Sequence, residues 1–380
     1  YLANYKKENG FPETDSLSAC LEVGKKAAGW DEKWHLPGAR KLASGKMHGI
    51  AFTWTHEWDD VRGAGSAAVQ VEADGTVSIV SNHADIGVNP WTAYKQIVAD
   101  ELGVRYEDVN VKPFDTDQGF ALMTPDGSCN LITNGFIVRK AARKAKKMLL
   151  DLASEKFGIF DIDLLDIRDG KVFEKSNPEN VRTIREIARL SMAGYNAVSV
   201  ATDPPIMGWA WHNQGNFGQG IATGRPRLCR QAHFLEVEVD LETGQVDVTR
   251  IVNVNDVGKA ISPETVEGQM YGGSYMGVGR STMEEMIWDP ATGVLLNRDL
   301  LNYKYATMLD LGPVDTHIVE TGLGHGPYGT VGVGEDVATV IPALLGPAVF
   351  NAIGKWIDDF PITPDKVLRA VGNNVREKRP

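Results

Sequence analysis

Cysteine is the first scarcity of this chain. Only Cys20, Cys129 and Cys229 occur in 380 residues, far apart and in no Cys-x-x-Cys or Cys/His spacing, so no zinc or iron–sulfur site is encoded. So sparse and odd a count fits a reducing compartment, and a cytoplasmic location is the expectation. No stretch reads as the roughly 18 apolar residues of a membrane span, so none is expected, and no signal peptide is visible. The sequence opens on Tyr1 rather than Met, and its natural start can lie upstream. Basic runs are no longer than Arg139-Lys140 or Lys146-Lys147 and the net charge is −11, which argues against nucleic acid as the main partner. The stripe Arg139 to Lys147 reads as a solvated helix face.

Several chemical signatures are missing as well. The chain has no nucleophile elbow, no P-loop, no His-x-x-x-His pair and no Gly-x-Gly-x-x-Gly after a strand. Gly332-x-Gly334 comes close but continues Glu-Asp-Val, so the dinucleotide reading fails. The eight histidines are scattered, and His233 and His325 read at most as polar pocket residues.

What is present is an ordinary globular composition, 43% hydrophobic and 23% charged, enough for a sizeable core in two or three lobes. Residues 1–48 read as a helix-rich lead-in, and the aromatic-rich segment GIAFTWTHEW follows at 49–58. Period-two alternation on either side of Ala73-Asp74-Gly75 marks a β-hairpin over residues 67–80. A second hairpin runs from Phe234 through Leu241-Glu242-Thr243-Gly244 to Val252. Each leads to Asp-aliphatic-Gly, Asp85-Ile86-Gly87 and then Asp256-Val257-Gly258, with a helix opening near Pro90 and near Pro263. The offset of 171 residues is too long for a solenoid, so the expected fold class is α+β, two related lobes of mixed sheet and helices, divided as 1–200 and 201–380. Residues 153–200 read as a charged helical connector, and 204–231, with five glycines, as a long functional loop.

Two strand–glycine–helix units can aim two helix N-termini at one anionic ligand between the lobes. The loop Thr124-Pro125-Asp126-Gly127-Ser128-Cys129-Asn130, opening a helix at Phe136 to Leu152, is a third anion cradle. The most informative run is Gly329-Thr330-Val331-Gly332-Val333-Gly334-Glu335, ahead of the apolar stretch Val337 to Ile357. Its glycines let backbone press against a bulky ligand, and Glu335 is its only ionisable group. A carboxylate placed there is expected to be partly desolvated, which raises its pKa and suits it to proton transfer. Together these features point to a large anionic cofactor that carries the chemistry while the protein supplies a base and orientation.

Three segments carry a family resemblance: FLEVEVDLETGQVDVTRIVNVNDVGKAISPETVEGQMYGG at 234–273, GPYGTVGVGE at 326–335, and NAIGKWIDDFPITPDKVLRAV at 351–371. With them the chain resembles the molybdenum-cofactor subunit of the molybdenum hydroxylases, the xanthine dehydrogenase/aldehyde oxidase family. The likeness runs through nearly the whole chain but corresponds to the C-terminal half of the family's full-length subunit. That implies either a fragment or a subunit divided between two polypeptides, as in nicotinate dehydrogenase. The division is favoured, because a half-site leaves apolar surface uncovered.

By resemblance, Glu335 falls on the glutamate that deprotonates a molybdenum-bound hydroxide or water, whose oxygen attacks an N-heteroaromatic or aldehyde carbon. Cofactor contacts are implied for Gly87, Val88, Asn89, Gly127, Ser128, Cys129, Asn130, Gln269, Gly332 and Gly334, and a substrate wall for Phe52 and Thr53. The implied cofactor is molybdenum-molybdopterin, in its cytosine dinucleotide form, whose dithiolene holds the metal without a protein ligand. The implied partners are an N-terminal-half molybdopterin subunit, a [2Fe-2S] subunit and an FAD subunit. One departure is notable: Gly87-Val88-Asn89 stands where the family has Gly-Gln-Gly, so reductive dehydroxylation on the same fold, or a non-catalytic scaffold, stays open.

Overall fold

The computed structural model describes residues 16–59, 64–81, 84–112, 115, 127–193, 207–213 and 227–372. Thr124-Pro125-Asp126 and most of the glycine-rich stretch 204–231 lie outside the described residues.

After α1 (Ser16–Ala28) and the short α2 (Trp30–Lys33), the chain enters a long strand, β1 (Met47–Asp59). The first hairpin is β2 (Ala64–Val71) and β3 (Val77–Ser81), followed by α3 (Pro90–Leu102) and β4 (Val109–Val111). The turn closes through Gly75 at φ 92°, a left-handed conformation that favours glycine. One π-helical turn, Leu131–Gly135, then opens α4 (Phe136–Phe157). Residues 153–193, expected as a helical connector, instead form the antiparallel sheet β5 (Leu165–Arg168), β6 (Lys171–Glu174) and β7 (Asn177–Thr183), ending in α5 (Ile184–Ala193). Alternate apolar residues explain the difference. Leu165, Ile167 and Val172 bury themselves in the α4 core, and their charged neighbours remain in water.

The second half repeats the first. β8 (Met207–Asn213) precedes the hairpin β9 (Arg227–Val239) and β10 (Val246–Asp256), then α6 (Pro263–Thr282) and β11 (Val314–Val319). The last helices are α7 (Asp336–Ile353) and α8 (Pro364–Ala370). The sheet orders β4-β3-β2-β8 and β11-β10-β9-β1 match strand for strand, with the crossover strands β4 and β11 both parallel to their neighbours. Both sheets take their fourth strand from the other side of the chain. β1 pairs with β9 over thirteen residues, Met47↔Val239 to Asp59↔Arg227, while β8 pairs with β2. A boundary at residue 200 therefore leaves β1 in the second sheet and β8 in the first. The register is set by pairing rather than by order along the chain.

A long helix backs each sheet, α4 on β2 and β8, α7 on β1 and β9. Each long helix is flanked in turn by the helix that follows its hairpin, α3 or α6. Small residues allow the close contacts on the α7 side. A Cβ at Gly277 of α6 would stand 2.4 Å from Ile341 Cβ of α7, and one at Gly49 of β1 would stand 2.1 Å from the Ala348 carbonyl oxygen. By length and composition α7 could cross a membrane, which the sequence reading did not register, but Ile341, Leu344, Leu345, Ala348, Val349 and Ala352 are fully buried in the second core. It is a core helix here.

The basic face of α4 is paired rather than merely solvated. Arg139 and Arg143 both reach the Glu101 carboxylate, and Lys146 lies 3.0 Å from Asp166. Partial burial pushes the Glu101 carboxyl up, but the two guanidinium groups outweigh it and hold it below the usual range.

Candidate active-site cleft

The starts of three helices, α3, α6 and α7, and the segment that leads into α4 meet at one cleft of about 510 Å³. Its walls are the turn Ile86–Pro90 before α3, the Gly127-Ser128 loop with Asn130 before α4, the segment from Val257 to Gln269 that opens α6, and the run Thr330–Glu335 before α7. α4 continues directly from the π-helical turn Leu131–Gly135, but none of the N-cap residues of the other three, Asn89, Ser262 and Glu335, makes a side-chain capping bond. First-turn N–H groups of an uncapped helix lack an internal acceptor and carry the positive end of the helix dipole, so these starts suit an anion. Lys259, one residue beyond the second Asp-aliphatic-Gly turn, adds a cation to the wall, with Nζ 3.0 Å from Glu320.

The two Asp-aliphatic-Gly turns are built alike. Asp85 Oδ1 accepts from the N–H groups of Gly87 and Asn89, and Asp256 Oδ1 accepts from Gly258. Gly87 and Gly258 have φ of 99° and 63°, which explains glycine at both places. Asn89 also sits at φ 51°, a conformation that asparagine tolerates better than most residues. Its Oδ1 accepts from the Thr92 hydroxyl.

The Gly127-Ser128 loop and the Glu335 loop interlock. A Cβ at Gly332 would fall 1.8 Å from the Ser128 carbonyl oxygen, so only glycine fits there. The Glu335 N–H donates to Ser128 Oγ at 3.2 Å, tying the carboxylate-bearing residue to the first half of the chain. Ser128 itself has φ 56°, a strained conformation for a side-chain-bearing residue. A second tie lies upstream: Tyr328, at φ 58°, donates its hydroxyl to Asp100, and the Arg139 guanidinium lies 4.0 Å over its ring. Burial and the acceptor Asp100 push the Tyr328 hydroxyl pKa well up.

The cleft thus gathers Gly87, Val88, Asn89, Gly127, Ser128, Asn130, Gln269, Gly332, Gly334 and Glu335. Glu335 is exposed at the rim instead of partly desolvated, since it stands one residue before α7 and the buried positions of that helix begin at Asp336 and Val337. Cys129 is buried behind the wall and does not line the cleft. Phe52 and Thr53 are not in it either. Phe52 packs against Trp30 and Phe234 on the α1 side of β1, and Thr53 pairs with His233 in the sheet. His233 is fully buried rather than a pocket residue, and burial pushes its pKa down to about 4. Sequence reasoning missed Lys259 and the buried partners of Asp336. For Lys259 the signal existed, a cation directly after a glycine turn; for Asp336 none existed, since its partners come from strands about a hundred residues away.

The molybdopterin cofactor-binding domain model matches residues 24–312, most of the chain. The chain belongs to that family. It is 27% identical over 368 residues to the putative xanthine dehydrogenase molybdenum-binding subunit XdhA of Escherichia coli, covering 92% of this chain and 45% of the relative. The nicotine 6-hydroxylase large subunit of Paenarthrobacter nicotinovorans is 28% identical over 308 residues, covering 80% of this chain and 36% of the relative. Among solved structures, quinoline 2-oxidoreductase from Pseudomonas putida 86 superposes with a TM-score of 0.77 at 25% identity, covering 96% of this chain and 45% of that one. This molybdopterin-binding chain therefore spans about half the length of the curated relatives it matches.

The residues of the cleft fit such a cofactor. Asn130, nine-tenths buried on the cleft wall, has an amide nitrogen with no hydrogen-bond partner, a donor matched to a polar ring or phosphate. At Gly87 and Gly272 of the cleft a Cβ would meet nothing within 4 Å, leaving open backbone for a bulky group to approach. Among the described residues no group of three or more His, Cys, Asp or Glu is placed to hold a metal.

Proposed function

We propose that this chain forms one wall of the active site of a molybdenum hydroxylase. The enzyme oxidises an N-heteroaromatic or aldehyde carbon with water-derived oxygen, and Glu335 is the general base. One observation carries the reading: three uncapped helix starts and, among the described residues, a single carboxylate converge on one cleft. When bound, molybdopterin, in its cytosine dinucleotide form, supplies the redox-active metal centre and brings the metal's own ligands.

The protein's part is binding, orientation and proton handling. Amides at the starts of α3, α6 and α7, with Lys259, neutralise phosphate charge, and Asn130 Nδ2 and the Gln269 amide donate to cofactor acceptors. Gly332 and Gly334 bring loop backbone close, and Ser128 Oγ fixes the Glu335 N–H so that its carboxylate faces the cleft mouth. There Glu335 takes the proton released as water adds to the substrate carbon, a service worth roughly 10²–10⁴ in rate. The other half of a full-length subunit covers this rim and dries it, and partner subunits with [2Fe-2S] and FAD remove the electrons. The relatives named as xanthine dehydrogenase and nicotine 6-hydroxylase subunits support that assignment.

The test is to purify the native complex and measure its metal by mass spectrometry together with the mass of every polypeptide. About one molybdenum per copy is expected, as in a one-cofactor site, and Glu335→Gln is expected to keep the metal while losing turnover. A metal-free complex, or unchanged turnover in Glu335→Gln, would leave a scaffold instead of an enzyme.

A further inference from the structure

Behind the cleft wall lies a line of buried polar groups that the proposed chemistry does not use. It begins at Asp336, the first residue of α7 and the neighbour of Glu335, whose Oδ2 accepts from Gln231 Nε2. Gln231 Oε1 stands 2.9 Å from His233 Nε2, and His233 Nδ1 stands 2.8 Å from Asn253 Oδ1. The Asn253 amide reaches Ser274 Oγ at 2.7 Å, and Ser274 also lies 2.8 Å from the Met270 carbonyl. Gln231, His233, Asn253 and Ser274 are fully buried, and Asp336 nearly so. The line crosses β9 and β10 and joins α7 beside Glu335 to α6 beside Gln269, two walls of the cleft.

Its hydrogens can be placed by counting donors. A neutral imidazole donates from one nitrogen only, yet carbonyl oxygens stand opposite both nitrogens of His233. Burial pushes His233 down to about 4, which keeps the ring neutral near pH 7. Gln231 donates its Nε2 to Asp336 Oδ2, an arrangement in which the Asp336 carboxylate is the acceptor. An ionised Asp336 only accepts, so Gln231 turns its Nε2 to Asp336 and its Oε1 to His233, and the His233 proton sits on Nε2. The bare Nδ1 then requires a donor, which the Asn253 amide supplies by turning over and presenting Oδ1 to the Ser274 hydroxyl. Every donor in the line now points the same way, from α6 toward Asp336. Protonating Asp336 would reverse every bond and move the His233 proton to Nδ1.

We infer that His233 is a positioning residue, which through Gln231 holds the Asp336 carboxylate at the start of α7 and so sets where Glu335 stands against the α6 wall. The inference rests on the reading of Glu335 as the base only for its consequence in catalysis. Its tests involve no turnover, so they stand or fall separately from that reading.

Nitrogen-15 NMR of the histidine-labelled full chain, with His233 assigned by its loss in His233→Gln, decides the tautomer. A neutral Nε2–H ring that does not titrate between about pH 5.5 and 8 is expected, whereas an unperturbed histidine changes charge across that window. An Nδ1–H ring, or titration near the ordinary value, overturns the inference. Hydrogen exchange read by mass spectrometry gives the mechanical consequence. His233→Leu is expected to speed exchange over residues 330–338 by about tenfold while α4 stays unchanged. His233→Gln, which keeps a donor toward Gln231, stays near the parent rate. Equal protection of 330–338 in both variants overturns it, and should His233→Leu fail to fold, the tautomer of the parent chain decides alone.

Discussion

The two halves share one plan and differ in what they place at the cleft. Each has a hairpin, an Asp-aliphatic-Gly turn, a helix, a parallel crossover strand and a long helix opened by a glycine loop. In the first half the long helix opens on neutral groups: Ser128, then Asn130, which accepts from the Tyr94 hydroxyl at 2.7 Å and from Asn134 at 3.2 Å. In the second it opens on Glu335 and Asp336, with a buried line of amides and an imidazole behind them. The first half therefore offers donors for holding a ligand, and the second adds the titratable group. A shared fold makes the site and an asymmetry makes it reactive.

The largest effect expected from breaking that asymmetry is chemical. Glu335→Gln should cost roughly 10²–10⁴ in turnover with metal retained, and Ser128→Ala, its neutral counterpart, less than about tenfold. Steady-state rates normalised to molybdenum content compare the two.

Next comes pH. The folded-state value of about 4 for His233 lies below its ordinary 6.5, so between these values the unfolded chain binds more protons than the folded one. The stability from the neutral buried ring is complete above about pH 6.5 and is lost as pH falls toward 4, up to about 3 kcal/mol. Urea unfolding at several pH values should show that slope in the parent chain and a shallower one in His233→Gln.

Packing gives a smaller contrast. Gly277→Ala drives a methyl into Ile341 at 2.4 Å and should cost about 1–3 kcal/mol. Gly135→Ala meets side-chain ends, Leu131 Cδ1 at 2.8 Å and Pro327 Cγ at 3.1 Å, and should cost less. Thermal midpoints rank the two. The turns differ in the same way: Asp256→Ala, buried and also holding Thr321, should cost about 1–3 kcal/mol, and Asp85→Ala, at an exposed site, about 1 kcal/mol or less, the smallest effect of all.

Much of this was readable along the chain. The Asp-Gly hairpin, the paired Asp-aliphatic-Gly turns and the glycine run ending at Glu335 are local patterns, and each stands where its backbone chemistry requires. The partner of β1 was not readable, because GIAFTWTHEW has the composition of a strand but nothing in it names β9. Residues 153–193 were misread for a related reason: short strands such as Leu165–Arg168 and Lys171–Glu174 carry too few alternations to stand out against charged neighbours. The exposure of Glu335 depends on which way a loop enters a helix, and Gly332 and Gly334 ahead of it leave that direction open to tertiary contacts such as Ser128.

The exchange of strands between the sheets also has a consequence for how the chain comes to be folded. As synthesis proceeds, β1 emerges with no partner, and Val239, which pairs with Met47, follows only after the whole first hairpin, α3, α4 and β8 have been made. A strand of thirteen residues rich in aromatic and β-branched side chains must therefore wait unpaired, in the state most open to association with other chains. The sheet it completes closes over one of the longest sequence separations in the molecule, which makes its closure slow. The same exchange means that a cut between the halves releases neither of them, since each retains a strand of the other.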